Sequence, residues 1–294
     1  MMELGTMTNL YFVKNAPDKR GFANSIRKTA EFGFQVMDLC MCPVQREESE
    51  LNLDGEWEKI AYEIRNEAEK CGVRLVQSHL PYPTRRKSPD QYGPEAELND
   101  RFRELFRRCV LVSEIVGVKW AVAHPVVGCE GIPYSTEDGL RYNHKVYDEL
   151  IDFAVKHNVG IAFENMCNFN NIGTSAHGLC TFIDSFGDPN AVGACWDFGH
   201  ANRTYPDDQT AALRVIGKRL RATHVDDNFG KDDTHAIPFS GTINWDAVMK
   251  TVSEIGYEGP FIFEVNFRNT DDAFRDEKTK YLYKVGQHLL ELAK

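Results

Sequence analysis

The sequence predicts an α/β chain, and within that class a (β/α)8 barrel occupying residues 1–294 as a single domain, on three observations. Short apolar runs rich in Val, Ile, Leu, Phe or Ala alternate with longer amphipathic stretches along all 294 residues. Eight such pairs can be counted, the number of β-α units in a closed parallel barrel. Residues able to bind an ion follow one apolar run after another, and the C-terminal strand ends are where this fold assembles its active site.

Taken in order, the first strand is expected over 4–10 with a helix over 21–31, and the second over 34–39 with a helix over 56–70 closed by Cys71-Gly72. The third, 73–78, leads to a helix over 96–116 closed by Gly117, and the fourth, 120–123, to one over 140–156 closed by His157-Asn158. Strands at 160–163 and 192–196 precede helices at 175–186 and 208–218. The last two, 222–225 and 260–263, precede helices at 245–255, closed by Ile255-Gly256, and 274–292. Gly and Asn tolerate the left-handed geometry that ends a helix. No Ser/Pro/Gly linker or low-complexity segment divides the chain.

Composition narrows the function. The 44 acidic and 34 basic residues give a formal charge of −10, which disfavours a surface made to grip phosphate backbones and so a nucleic-acid partner. Eight cysteines lie in apolar segments without a Cys-x-x-Cys pair, so most read as reduced core thiols and the expected compartment is cytoplasmic. Residues 1–12 lack the pattern of a signal peptide, and nowhere do eighteen apolar residues run together, so no membrane segment is expected. The expected partner is a small molecule, with a homo-oligomer possible.

The chain is organised around Trp196-Asp197-Phe198-Gly199-His200, where an apolar run ends in a carboxylate, a glycine turn and a histidine. Asp197 and His200 are expected across a turn rather than on one helix face. Other strand ends supply partners: His79, His124, Glu164, His224 and Glu264. A histidine taken alone more often plays a hydrogen-bonded structural role. Six strand ends together point to a shared ion, because buried carboxylates and imidazoles need partners to offset desolvation. Glu164, Asp197, His224 and Glu264 make a set suited to Mn²⁺, Mg²⁺, Co²⁺ or Zn²⁺.

With Glu164-Asn165, Asp197-x-x-His200, His224-Val225-Asp226-Asp227, Asp233-x-His235, and Gly241-Thr242-Ile243-Asn244-Trp245 running through Ile255-Gly256-Tyr257-Glu258-Gly259 to Glu264, the chain resembles the sugar phosphate isomerase/epimerase superfamily. This is the xylose isomerase-like TIM barrel group that includes D-tagatose 3-epimerase, inosose dehydratase and endonuclease IV. The resemblance implies that Glu164, Asp197, His224 and Glu264 hold one divalent ion and that His200 contacts substrate, with His79, His124, Asp233 and His235 also on the substrate side. Two departures stand out. Phe239 replaces the first glycine of a common Pro-Gly-x-Gly-x-Ile loop, and Gly230, beside Lys231, replaces the arginine that tagatose epimerases carry six residues after the ligand histidine.

The implied chemistry is isomerisation or epimerisation of a carbohydrate by proton abstraction next to a carbonyl, through an enediolate stabilised by the ion. Glu164 and Glu264 are the expected acid/base pair, on opposite sides of the bound sugar. A lyase on the same scaffold is an alternative. So is an endonuclease IV-like phosphodiesterase acting on abasic DNA, since His79, His124, Glu164, Asp197, His200, His224, Asp233, His235 and Glu264 match the residue types and order of that enzyme's nine zinc ligands. A non-catalytic sugar-binding barrel is the third class. Thr84-Arg85-Arg86-Lys87 could receive a phosphate or simply be exposed, and Tyr11, Phe12, Tyr82, Phe198 and Phe267 could line a sugar pocket or plug the barrel top. His144, His157, His177 and His288 are assigned no chemistry.

Overall fold

The computed structural model describes residues 2–11, 21–46, 49–82, 100–128, 134–167, 170–267 and 270–294. Phe12, Thr84 to Lys87 and Cys129 lie outside them. Eight parallel strands, β1 (Glu3–Met7), β2 (Val36–Cys40), β3 (Arg74–His79), β4 (Trp120–Ala123), β5 (Gly160–Glu164), β6 (Val192–Asp197), β7 (Leu220–His224) and β8 (Pro260–Phe263), stand in the order β7-β6-β5-β4-β3-β2-β1-β8. The ring closes between β7 and β8 through one parallel bridge, Val225 to Phe263. There the Val225 amide donates to the Ile262 carbonyl at 2.7 Å and the Glu264 amide to the Val225 carbonyl at 3.1 Å. The Thr223 hydroxyl supplements the seam, donating to the Pro260 carbonyl and accepting from the Ile262 amide. The fold is the TIM barrel that the alternation of apolar runs predicts.

Around it are α1 (Phe22–Ala30), α2 (Trp57–Cys71), α3 (Asp100–Val116), α4 (Thr136–Lys156), α5 (Ala176–Asp184), α6 (Phe198–Thr204), α7 (Thr210–Ile216), α8 (Trp245–Glu254) and α9 (Asp272–Leu292). Gly72, Gly117, Asn158 and Gly256 all take positive φ just beyond helix ends, as their residue types predict. α4 begins earlier than its apolar pattern suggests, because Ser135 and Asp138 form a reciprocal capping box. β1 is shorter than expected and turns at Thr8–Tyr11 into a 3-10 turn. Most of the core lies between strands and helices, where Trp196, Trp245, Phe163 and Phe261 are fully buried. The barrel interior holds Met7, Val36, Cys40 and Ile262 in one cluster and Val122, Ala162, Cys195 and Ala222 in another. Among the described residues, no helix is long and apolar enough to cross a membrane.

Candidate active site

Strand alternation places the ligand-bearing side chains. Residues two apart on a strand face the same way, so Glu164, Asp197 and His224 follow Ala162, Cys195 and Ala222 into the barrel interior, one layer nearer the strand ends. The small side chains below leave room for charged ones above. Register shifts at Met37/Asp38 and Ala194/Cys195 occur just before this layer, and bulges of this kind re-aim side chains near sites.

Three groups of donor atoms result. His224 Nδ1 lies 3.1 Å from Glu164 Oε1 and 3.0 Å from Glu264 Oε2, and with Asp197 these form a set whose ligand atoms are all within 4.8 Å of one another. Glu164 Oε2 lies 2.9 Å from His124 Nε2 and 3.4 Å from His79 Nε2, and the two imidazole nitrogens are 3.2 Å apart. Asp233 Oδ2 lies 3.3 Å from His200 Nε2 and 3.2 Å from His235 Nε2. The structure thus brings the six strand-end residues named from the sequence, and His200, Asp233 and His235 with them, to one end of the barrel. Glu264 meets Glu164 across His224.

The turn expected between Asp197 and His200 is the first turn of α6. Asp197 caps that helix, accepting from the His200 amide. Asn165 fixes the cap from β5: its side-chain amide donates to the Asp197 carbonyl at 2.9 Å and its oxygen accepts from the Asp197 amide at 2.6 Å. The helix escaped the sequence reading because Gly199 interrupts a seven-residue element.

The histidine orientations test whether a cation fits. His79, His200 and His235 each turn Nδ1 toward a backbone carbonyl, of Leu80, Asn165 and Glu264, at 2.9–3.0 Å. A carbonyl only accepts, so Nδ1 carries the hydrogen, and a neutral ring then aims the Nε2 lone pair at a carboxylate or another imidazole. That arrangement is repulsive unless a proton or a cation stands between the atoms. Two ligands held at about 2.0–2.1 Å by one tetrahedral ion are about 3.3 Å apart, close to the spacings observed. Moreover, Glu164 Oε2 and Asp197 Oδ2 are buried and accept no aligned hydrogen bond. The donor set therefore fits divalent metal.

Electrostatics match this picture. Burial raises the Glu164 carboxyl, but His224 and His124 outweigh it and hold it well below the ordinary range. Glu264, despite its own burial, is drawn down to about 2, chiefly by His224. Burial and the neighbouring Asp226 push Asp197 well up. Burial lowers His124, whereas in His79, at about 9, the same penalty is overcome by Glu164.

Beyond the predicted set, Asp38 and Asp226 are fully buried carboxylates whose oxygens accept no hydrogen bond, each held at about 6 mainly by desolvation. Asp226 Oδ2 stands 3.5 Å from His235 Nδ1. A carboxylate inside the apolar run Val36–Cys40 was the available signal for Asp38. A cavity of about 860 Å³ opens onto the site, lined by Glu164, Glu264, Asp233, His79, His124, His200 and His235, with Cys42, Gln45, Arg46, Tyr82 and Arg203 on its walls. Tyr82 stacks on His124 with ring centroids 5.5 Å apart.

Three other aromatic candidates pack elsewhere. Tyr11 is buried, with its hydroxyl 2.8 Å from Asp276; Phe198 packs on Trp245 and Phe261; Phe267 lies under Lys278. None of these three lines the cavity. Lys231 does not line it either, and its carbonyl accepts from Arg203 Nε at 2.9 Å. Phe239 occupies its glycine-like position with φ of 69°, its ring packed beside Trp245 and His288. His144 and His157 make surface contacts with Asp148 and Glu114, while His177 sits exposed in α5.

Among known proteins, the chain is 28% identical over 284 residues to an uncharacterized protein of Methanocaldococcus jannaschii, covering 92% of this chain and 88% of that one. It is 27% identical over 222 residues to a probable endonuclease 4 of Acholeplasma laidlawii, covering 69% and 71%. Its fold is similar to a D-psicose 3-epimerase crystallised in the presence of D-fructose, with a TM-score of 0.76 at 18% identity, covering 98% of this chain and 99% of that one. The model of the xylose isomerase-like TIM barrel family matches residues 26–285, and the chain belongs to that family.

Proposed function

We propose that the protein is a divalent-metal-dependent isomerase or epimerase of a carbonyl-bearing sugar. The observation that carries the reading is the convergence of Glu164, Asp197, His224 and Glu264 beneath a cavity large enough for a monosaccharide. The likeness of the fold to a D-psicose 3-epimerase supports it. In this reading those four residues hold the ion, which when bound supplies fixed positive charge to the oxygens of the substrate carbonyl and its neighbouring hydroxyl. Glu164 and Glu264, the two carboxylates of the set that line the cavity, exchange the proton of the adjacent carbon: one accepts it and the other returns it. His79 and His124 stand beside Glu164 and orient it, while His200, Asp233 and His235 form the wall that receives substrate hydroxyls. The test is deuterium uptake by a panel of ketoses and aldoses in D₂O, with metal content measured in the same samples. Glu164→Gln and Glu264→Gln should each retain bound metal yet lose exchange for at least one stereoisomer. Retained exchange in both removes them from proton transfer.

A second reading, phosphodiester hydrolysis on abasic DNA, is favoured by the clustering of His79 and His124 on Glu164 and of His200 and His235 on Asp233, and by the likeness to the probable endonuclease 4. Three tightly held ions per chain together with cleavage of abasic DNA would replace the sugar reading.

A further inference from the structure

We infer that the cavity takes a substrate bearing an oxyanion, a phosphate or carboxylate group on the sugar, and that Arg203 is the residue that grips it. The inference rests on the proposed sugar reading and names its substrate class.

Use of arginine across the molecule carries the argument. Ten described arginines, Arg214 with Glu254 and Arg219 with Asp184 among them, pair with a carboxylate. Arg221 and Arg275 direct their guanidinium groups to backbone carbonyls and stack near Trp120 and Tyr11. Among the described residues, that leaves Arg46 and Arg203 without an acid partner, and both line the same cavity. In a chain of net charge −10, two unpaired guanidinium groups facing one pocket are not explained by the average surface. The carboxylates on the same walls, Glu164, Glu264 and Asp233, face imidazoles within the donor groups.

Arg203 is the better placed of the two. It lies one turn after His200 on α6, so its backbone is fixed by the same helix that presents His200 to the site. Its Nε donates to the Lys231 carbonyl at 2.9 Å and its Nη1 lies against the Cys167 sulfur. These contacts hold the planar fork without neutralising it, which suits paired recognition of a planar or tetrahedral oxyanion. Arg46, exposed at the rim, adds charge with less constraint.

The test uses the full chain loaded with Mn²⁺ and titrated calorimetrically with D-fructose, D-fructose 6-phosphate and D-fructuronate. At least one of the two charged ketoses should bind about tenfold or more tighter than D-fructose. Arg203→Ala should abolish that preference, lowering affinity for the charged ketose about tenfold or more relative to D-fructose, while Arg203→Lys restores part of it. Preference for the phosphate alone, or for both anions, identifies the source of the oxyanion. In parallel, the chelated protein is treated with phenylglyoxal, and inorganic phosphate should shield Arg203 but not the ion-paired Arg214. The inference is overturned if D-fructose binds as tightly as both charged ketoses or if the preference survives Arg203→Ala. It is also overturned if no ketose binds and phosphate fails to shield Arg203. Should phosphate shield Arg203 while no ketose binds or exchanges its proton, the oxyanion site stands and the sugar isomerase reading falls.

Discussion

Replacing Asp227 by Asn tests how the loop after β7 is held. Asp227 is fully buried and accepts four hydrogen bonds: Oδ1 from the amides of Asn228 at 2.9 Å and Ile243 at 3.3 Å, Oδ2 from the amide of Phe239 at 2.9 Å and the Trp245 indole at 3.0 Å. Asn keeps the shape but presents an NH₂ where one oxygen stood, so two donors lose their acceptor whichever way the amide is turned. Each hydrogen bond to a charged group contributes about 1.5–3 kcal/mol, so the two together amount to about 3–6 kcal/mol. That is a large share of a typical domain stability of about 5–15 kcal/mol. Urea unfolding followed by circular dichroism and indole fluorescence measures it. Asp226→Asn is the control: its oxygens accept no hydrogen bond, and the loss should be much smaller. An Asp227→Asn loss below about 1 kcal/mol, equal to that of the control, refutes the view that this carboxylate organises the loop carrying Asp233, His235 and Phe239.

Three further outcomes are expected. Asp38, held at about 6 in the fold against an ordinary value near 4, ionises first in the unfolded chain; the native state is therefore penalised as pH rises from about 4 to 6, by about 3 kcal/mol once the change is complete. In the chelated protein, Asp38→Asn should be more stable than the parent at pH 7.5 with the gap closing below pH 4, and urea midpoints showing a constant gap would contradict this. Gly199→Ala places a methyl against the Asp226 carboxylate, 2.8 Å from its Cγ, and should cost about 1–3 kcal/mol, read as a lowered Tm. His224→Ala should weaken the first ion at least about tenfold while His200→Ala leaves it bound, a division that metal titration checks; equal losses would merge the donor groups.

The sequence made the barrel and its strand-end polar residues legible for one physical reason. A strand buried on both faces is an unbroken apolar run, so the polar residue that ends it, Glu164 after Phe163 or Asp197 after Trp196, stands out. What was hidden depended on non-local geometry. α6 has no apolar periodicity of its own and takes its start from a residue that also ends a strand. Asp38 stands at a register shift against β3, and Arg203 stands out only in the fold, where among the described residues no acid pairs with it and it lines the cavity. Of the aromatic candidates, Tyr82 lines the cavity whereas Tyr11, Phe198 and Phe267 do not. Position near a strand end does not fix direction, and Phe198, one residue past Asp197, points away from the cavity toward Trp245 and Phe261.

The seam between β7 and β8 has a kinetic side. His224 ends one flank and Glu264 follows the other, so an ion gripping both would act as a rivet across the least hydrogen-bonded joint of the ring. Breathing of that joint and departure of the ion then become one event. The hydrogen-exchange lifetimes of the Val225 and Glu264 amides should lengthen on metal loading in step with the ion's residence time, while those of Ala162 and Phe163, held within the β4–β5–β6 ladders, scarcely respond.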